Sequence, residues 1–155
     1  ILGEIQPYLM ILILGQEVML GLELTESVLL DERAGDVSPR LEALRAQGHQ
    51  IAIDDFGTGY SSLSYLRRLP VNKLKLDRTF VRTLPDDKAN ASIVAAVLEM
   101  AKGLQLEVVA EGVETQAQRD FLSQHGCPMS QGFLFSQPEP AKRIEARYLE
   151  RKATV

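Results

Sequence analysis

A single cysteine, Cys127, among 155 residues rules out an internal disulfide. Its neighbours Gly126 and Pro128 fit a buried turn better than an exposed reactive thiol. A reducing compartment suits such a chain, so a cytoplasmic location is expected, even where other parts of a longer protein are membrane-anchored. Histidine is nearly as scarce, and His49 and His125 stand at the ends of predicted helices without ligand spacing, as solvated or capping residues. Long apolar runs are missing too. The stretch from Tyr8 to Leu14 falls far below the ~20 residues that cross a bilayer, and no membrane contact by this segment is expected. No Lys or Arg precedes Arg33, which denies a signal peptide its basic start. Basic runs are absent as well: 17 Lys and Arg stand against 21 Asp and Glu, for a net charge of −4. Counterion release on a nucleic acid polymer is thereby excluded as a source of affinity. Ile1 stands where an initiating methionine would, so the chain is expected to be part of something longer.

What is present is the composition of one soluble domain, 45% hydrophobic and 25% charged. From about residue 20, short apolar runs alternate with amphipathic stretches, the pattern of parallel strands joined by crossover helices. Strands are predicted near 20–24, 50–54, 73–76, 106–110 and 130–133. Ser38 before Pro39 predicts a capped helix start, with Leu41 and Leu44 on one face and Gly48 as the left-handed stop. Ile93, Val94, Val97, Leu98 and Ala101 recur at helical spacing before Gly103, and Thr115 with Gln118 reads as a capping box for a helix ending near Gly126. Five such strands suit either an open doubly wound sheet or part of a (β/α)8 barrel.

Both architectures bind ligands at the carboxyl ends of the strands, where this chain carries Glu23 and Glu26, Asp54 and Asp55, Lys75 and Asp77, Glu111 and Glu114, and Gln131. Carboxylates converging on one mouth are driven toward protonation unless a cation holds them ionised. One acid alone would be read as a helix cap or a solvated side chain; acids at four successive strand ends point to a metal site. Oxygen donors without a Cys/His cluster point to Mg2+ or Mn2+ rather than structural zinc. Asp54 and Asp55 open a loop, Phe56-Gly57-Thr58-Gly59-Tyr60-Ser61-Ser62, whose glycines permit close backbone approach and whose serines can cap a following helix. Lys75 alternates with Leu74 and Leu76, so it faces away from them, either in a structural ion pair with Asp77 or Glu111 or in catalysis.

The segments Glu23-Leu24-Thr25-Glu26-Ser27, Asp54-Asp55-Phe56-Gly57-Thr58-Gly59-Tyr60-Ser61-Ser62-Leu63, Lys75-Leu76-Asp77-Arg78-Thr79-Phe80-Val81, Ala110-Glu111-Gly112-Val113-Glu114-Thr115 and Gln131-Gly132-Phe133 resemble, in order, the EAL family of cyclic di-GMP phosphodiesterases. The resemblance runs from about Leu22 to Pro138 and leaves residues 1–21 as an unplaced amino-terminal segment before a domain at 22–155. It implies an α/β fold, an incomplete (β/α)8 TIM-type barrel with about five parallel strands and crossover helices. It also implies a two-metal enzyme that hydrolyses cyclic di-GMP to linear pGpG. By motif position Glu23, Asp54 and Glu111 are expected as metal ligands, Asp55 as the ligand of a second metal, Lys75 as the group that orients or activates water, Gln131 as a substrate-binding residue, and Glu26 and Glu114 as supports of the loop after Asp55. Leu63 and Tyr65 are assigned to packing. A divalent pair supplies a nucleophile near neutral pH and steadies the attacking and leaving oxygens, and it reverses the local sign of an acidic site for a dianionic substrate.

The family's opening Glu-Ala-Leu motif and the asparagine ligand that follows it have no counterpart before Leu22; Asn72 and Asn90 lie elsewhere. Two of the usual ligands are therefore expected outside this chain, and a set of parallel strands with open edges is expected to self-associate. The competing readings are a noncatalytic cyclic di-GMP receptor and, from the bare constellation, an enolase-like Mg2+ enzyme with Lys75 as base.

Overall fold

The computed structural model describes residues 10–14, 17–25, 37–59 and 66–152. Glu26, Ser61, Ser62, Leu63 and Tyr65, all singled out in the sequence, lie outside the described residues. Among the described residues six strands form one sheet in chain order: β1 Met10–Leu14, β2 Glu17–Thr25, β3 Gln50–Phe56, β4 Lys73–Leu76, β5 Glu107–Ala110 and β6 Met129–Ser130. From β2 to β6 every neighbouring pair is parallel. The five expected parallel strands are thus present, and β1 adds an antiparallel neighbour to β2 that the alternation of strands and helices did not foretell. The last strand is shorter than expected and stops at Ser130, which leaves Gln131 just beyond the sheet.

The described helices are α1 Ser38–Ala46, α2 Arg78–Val81, α3 Lys88–Gly103, α4 Gln116–Gln124 and α5 Ala141–Lys152. None of them is long and apolar enough to cross a membrane. Leu41 of α1, Val94, Leu98 and Ala101 of α3, and Leu122 of α4 are buried in one core with Ile51, Ile53, Leu74 and Leu76 of the strands. Ile93 is 50% exposed, however, because α3 turns only a narrow stripe inward and the residue before Val94 falls off it. The capping box at α4 forms as expected, with Thr115 accepting from the Gln118 backbone N–H. At α1, Val37 takes the N-cap position instead of Ser38, and Pro39 sits in the first turn where it lacks only an N–H that would find no helical partner. Gly48 follows α1 with φ of +90°, the left-handed stop expected from sequence, and Gly126, near which α4 was expected to end, takes φ of +81°. Cys127 is buried, and the loss of hydration raises its thiol above the usual range, in keeping with an inert packing role.

Register places the polar residues. Leu22 and Leu24 pair with Ile51 and Ile53, which turn toward the helices, so Glu23 and its partner Ala52 belong to the opposite face. The same parity puts Lys73 opposite Glu107, a 3.4 Å ion pair, and sends Lys75 to that face while Leu74 and Leu76 are fully buried on the other. One sheet face thus carries the core and the other carries charge toward the carboxyl ends.

Candidate metal and phosphodiester site

Asp54 and Asp55 are consecutive in a strand, and consecutive side chains ordinarily point to opposite faces. Here the register slips between Ile53, which pairs with Leu74, and Phe56, which pairs with Leu76, so Asp54 and Asp55 together stand opposite Lys75. This is a β-bulge, the device that re-aims a side chain at a strand end. Asp55 takes φ of +52°, a left-handed conformation that aspartate tolerates better than most residues. Its carbonyl is held by two donors from Thr58, the backbone N–H at 3.2 Å and the hydroxyl at 2.9 Å. As a result, ligand oxygens of Asp54, Asp55 and Glu111 all lie within 4.8 Å of one another.

Glu111 reaches the cluster from the next strand end. Its backbone N–H donates to the Leu76 carbonyl at 3.0 Å, continuing the β4–β5 ladder past Ala110, and Gln131 N–H continues the β5–β6 ladder by donating to Ala110 at 2.9 Å. The Gln131 side-chain amide then donates to Glu111 Oε1 at 2.8 Å. Behind them, buried Gln118 accepts from the N–H groups of Glu114 and Thr115 at 2.8 and 2.9 Å and donates to the Arg82 carbonyl, fixing the loop that bears Glu111. Gly132 is required by contact: a Cβ there would stand 2.2 Å from the Val113 carbonyl oxygen and 2.3 Å from its nitrogen. Backbone cannot swing aside, so Gly132→Ala is expected to cost roughly 2–4 kcal/mol and to pull Gln131 away from Glu111. Thermal melting checks this: a melting temperature within a degree of the parent would contradict the packing described.

Lys75 stands at the centre. Its Nζ lies 2.9 Å from Glu23, 2.8 Å from Asp54 and 2.9 Å from Glu111. The contact with Asp54 Oδ1 is a close ion pair with an angle outside hydrogen-bond geometry, and that buried oxygen has no other donor. Burial by itself would lower the Lys75 pKa, but contacts with Asp54, Glu111 and Glu23 outweigh it and raise it above the usual lysine value. Lys75 is an ammonium in the metal-free chain. Glu111 is shifted up by burial and by Asp54 and Glu23, against the pull of Lys75; Asp55 is shifted up by burial and by Asp54 and Asp77. Four carboxylates against one ammonium leave the mouth short of positive charge, and the hard oxygen donors of Asp54, Asp55 and Glu111 fit a divalent cation.

Of the two ion-pair partners expected for Lys75, the structure gives Glu111, at 2.9 Å; Asp77 instead caps α2 by accepting from Thr79 N–H at 2.9 Å, and although burial opposes it, hydrogen bonds from Thr79 hold its carboxyl below the usual range. Glu23 sits within β2 rather than at its end, one row below Asp54, and meets the cluster through Lys75 instead of joining the compact carboxylate trio. Glu114 is exposed and lines the adjoining cleft.

Residues 12–138 match the sequence model of the EAL domain. The chain belongs to the EAL domain family. The EAL match begins upstream of Leu22 and includes part of β1. Over 126 residues this EAL chain is 51% identical to the bifunctional diguanylate cyclase/cyclic di-GMP phosphodiesterase MucR of Pseudomonas aeruginosa, which takes in 81% of this chain and 18% of MucR. The chain thus spans about a fifth of that curated relative. Among solved structures, the cyclic di-GMP complex of the MucR phosphodiesterase superposes with a TM-score of 0.73 at 49% identity, covering 80% of this chain and 50% of that one. A manganese/cyclic di-GMP complex of BlrP1 from Klebsiella pneumoniae gives 0.69 at 41% identity, covering 76% and 30%. The five parallel strands with crossover helices are therefore those of the TIM-barrel-like EAL fold.

Beside the cluster opens a cleft of about 690 Å³ whose walls include Asp55, Arg78, Glu114, Gln131 and Phe133. Arg78 and Phe133 were given no role from sequence, although both stand inside recognised motifs. The available signal was a cation directly after the Lys75-Leu76-Asp77 run and an aromatic directly after Gln131-Gly132.

Proposed function

We propose that the protein containing this chain is a cytoplasmic cyclic di-GMP phosphodiesterase that uses Mg2+ or Mn2+ to produce linear pGpG, with residues 22–155 supplying the carboxyl-terminal majority of its EAL domain. The observation that carries this reading is the convergence of Asp54, Asp55 and Glu111 around one point beside Lys75. In this reading Asp54, Asp55, Glu111 and, from the row below, Glu23 hold the cations. When bound, the cations lower the cost of deprotonating water and of charge build-up on the phosphoryl oxygens. Water adds its oxygen to phosphorus, the bond from phosphorus to one ribose 3′ oxygen breaks, and the departing oxygen takes up a proton. Lys75 Nζ, beside Asp54 and Glu111, orients or activates the attacking water. Gln131 steadies Glu111 through its amide and faces the substrate cleft, while Glu114 and Glu26 support the loop following Asp55. Self-association through the outer strands of the sheet is part of the same proposal.

The deciding experiment is incubation of the full-length protein that carries this chain with cyclic di-GMP and Mn2+ or Mg2+, following pGpG by chromatography together with ligand binding by calorimetry. Turnover that stops on chelation is the expected result. Saturable binding without turnover would replace the enzyme by a receptor, and neither would reject the substrate.

A further inference from the structure

Asn72 stands just before β4, half-buried, at the end of the strand remote from the carboxylate cluster. Its polar groups serve both neighbouring strands. The backbone N–H donates to the Ile51 carbonyl at 2.8 Å, the backbone carbonyl accepts from Glu107 N–H at 3.0 Å, and the side-chain Oδ1 accepts from Ile51 N–H at 3.1 Å. In a parallel ladder the Ile51 donor would go to a backbone carbonyl of the facing strand. β4 has not begun at this level, and the asparagine side chain supplies the acceptor instead. Ile51 is fully buried, so its N–H has no recourse to water.

The ladder beyond this clamp is short. β4 has four residues; it pairs with β3 through Lys73 with Ala52 and Leu74 with Ile53, and then the bulge intervenes, so that Lys75 has no single partner in β3. Alternation of faces forbids a slide by one residue but not by two, which would carry Lys75 about 7 Å from its three carboxylates with Leu74 and Leu76 still on the core face. With both backbone groups of Ile51 bound to Asn72 on one side and Glu107 bound on the other, that slide is closed. Resting on the phosphodiesterase reading above, we propose that Asn72 is a positioning residue for Lys75: through Oδ1 it sets β4 against β3 and thereby holds the ammonium beside Asp54 and Glu111. It acts from about 10 Å along the strand, touching neither substrate nor cation. The α2 residues that line the cleft are held separately. Arg78 leans on Gly112, where an added Cβ would lie 2.6 Å from Arg78 Cβ, while the Phe80 carbonyl accepts from the Asn90 amide and the Arg82 carbonyl from the Gln118 amide. Loss of the clamp should therefore lower kcat and spare KM.

The test is a double-mutant cycle in the full-length protein. Asn72→Leu removes the acceptor at similar size, Asn72→Asp keeps it, and each is made alone and together with Lys75→Met. Cyclic di-GMP turnover with Mn2+ and melting temperature are measured for all of them. Asn72→Leu alone is expected to lower kcat about tenfold with KM within about twofold of the parent, and Asn72→Asp to keep most of the parent kcat. In the Lys75→Met background Asn72→Leu should change kcat by less than about twofold, because the group it positions is gone. The drop in melting temperature caused by Lys75→Met should likewise shrink to less than half in Asn72→Leu, whose ammonium is no longer seated among the carboxylates. A merely structural asparagine would lower the melting temperature equally in both backgrounds and leave the kcat of the folded enzyme alone. Additive effects in the cycle, an unchanged kcat in Asn72→Leu, or the same loss in Asn72→Asp would overturn the inference. Should Asn72→Leu not fold, Asn72→Gln, which displaces the acceptor by one methylene, takes its place in the cycle and the same outcomes decide. A parent without turnover would instead reject the phosphodiesterase reading, and the melting-temperature cycle would still decide for or against Asn72.

Discussion

Asp54→Asn is expected to lower cyclic di-GMP hydrolysis by roughly a hundred- to a thousandfold while leaving the fold intact. The amide has the size of the carboxylate and loses only its charge. Asp54 belongs to the compact trio with Asp55 and Glu111 and carries the buried oxygen that has no donor besides its ion pair with Lys75. Removing one negative charge from a crowded mouth relieves repulsion, so the metal-free variant should melt no lower than the parent. The response to cations should differ. At a hundred times its dissociation constant a cation adds about 2.7 kcal/mol of stability, which corresponds to about 5 °C or more for a chain of this size, and Asp54→Asn should show little of that rise.

The pH dependence of that rise follows from the same groups. Asp55 and Glu111 have folded pKa values above their ordinary ones, so the fold takes up protons more readily than the unfolded chain does. Their favourable contribution is present below the ordinary carboxylate values and is lost as pH rises through the raised ones. Above those raised values both are ionised and crowded, and a divalent cation relieves them; the rise in melting temperature on adding Mn2+ should therefore fade as pH falls through them. Differential scanning fluorimetry with Mn2+ and with chelator checks both statements. Turnover within a few fold of the parent, together with an undiminished cation response in Asp54→Asn, would remove Asp54 from the metal site.

The second large effect is expected at Lys75. Lys75→Met keeps the length of the stem and withdraws the ammonium from Glu23, Asp54 and Glu111, whose side chains are themselves only 16–22% exposed. Breaking a buried ion pair on one side costs more than the pair contributes, because the remaining charges lose both water and partner. About 3 kcal/mol of destabilisation is expected in the metal-free protein, a drop of roughly 6 °C or more, and added Mn2+ should recover part of it by supplying positive charge. Hydrolysis should fall at least about a hundredfold, and monovalent cations in solution should not restore it. The linkage has the opposite pH range from that of the carboxylates. A lysine whose pKa is raised by its partners stabilises the fold fully below its ordinary value of 10.5 and loses that contribution as pH rises through the higher folded value. The parent should therefore weaken above pH 10.5 by an increment that Lys75→Met lacks. Equal alkaline profiles for the two proteins would mean that the three carboxylates do not hold this ammonium.

The strands carrying Asp54, Lys75 and Glu111 could be read from sequence because each is a short apolar run with its polar residue at or just past the carboxyl end. The alternation of Lys75 with Leu74 and Leu76 correctly turned it away from the core, since a period of two leaves no other choice. Capping at α4 was equally legible: the reciprocal bonds of Thr115 and Gln118 need only residues three apart. Where local rules were ambiguous they failed locally. Val37 displaced Ser38 as the N-cap, and Ile93 turned outward although it shares the helical spacing of Val94.

The sequence by itself determined the order of elements, the acidic character of one strand-end surface and the family whose motifs this chain carries, because periodicity, caps and motif spacing are properties of neighbours along the chain. Tertiary structure alone decided which acids meet. Asp54 and Asp55 converge because a bulge sets both opposite Lys75 and a left-handed Asp55 redirects the backbone, and the ammonium holds three carboxylates because register brings β2, β3 and β5 within reach of β4. Likewise Asp77 left Lys75 for its own helix cap, and Arg78 came to rest on Gly112. Such pairings depend on strand register and on where a missing Cβ leaves room, distances between residues far apart in sequence that no local pattern encodes.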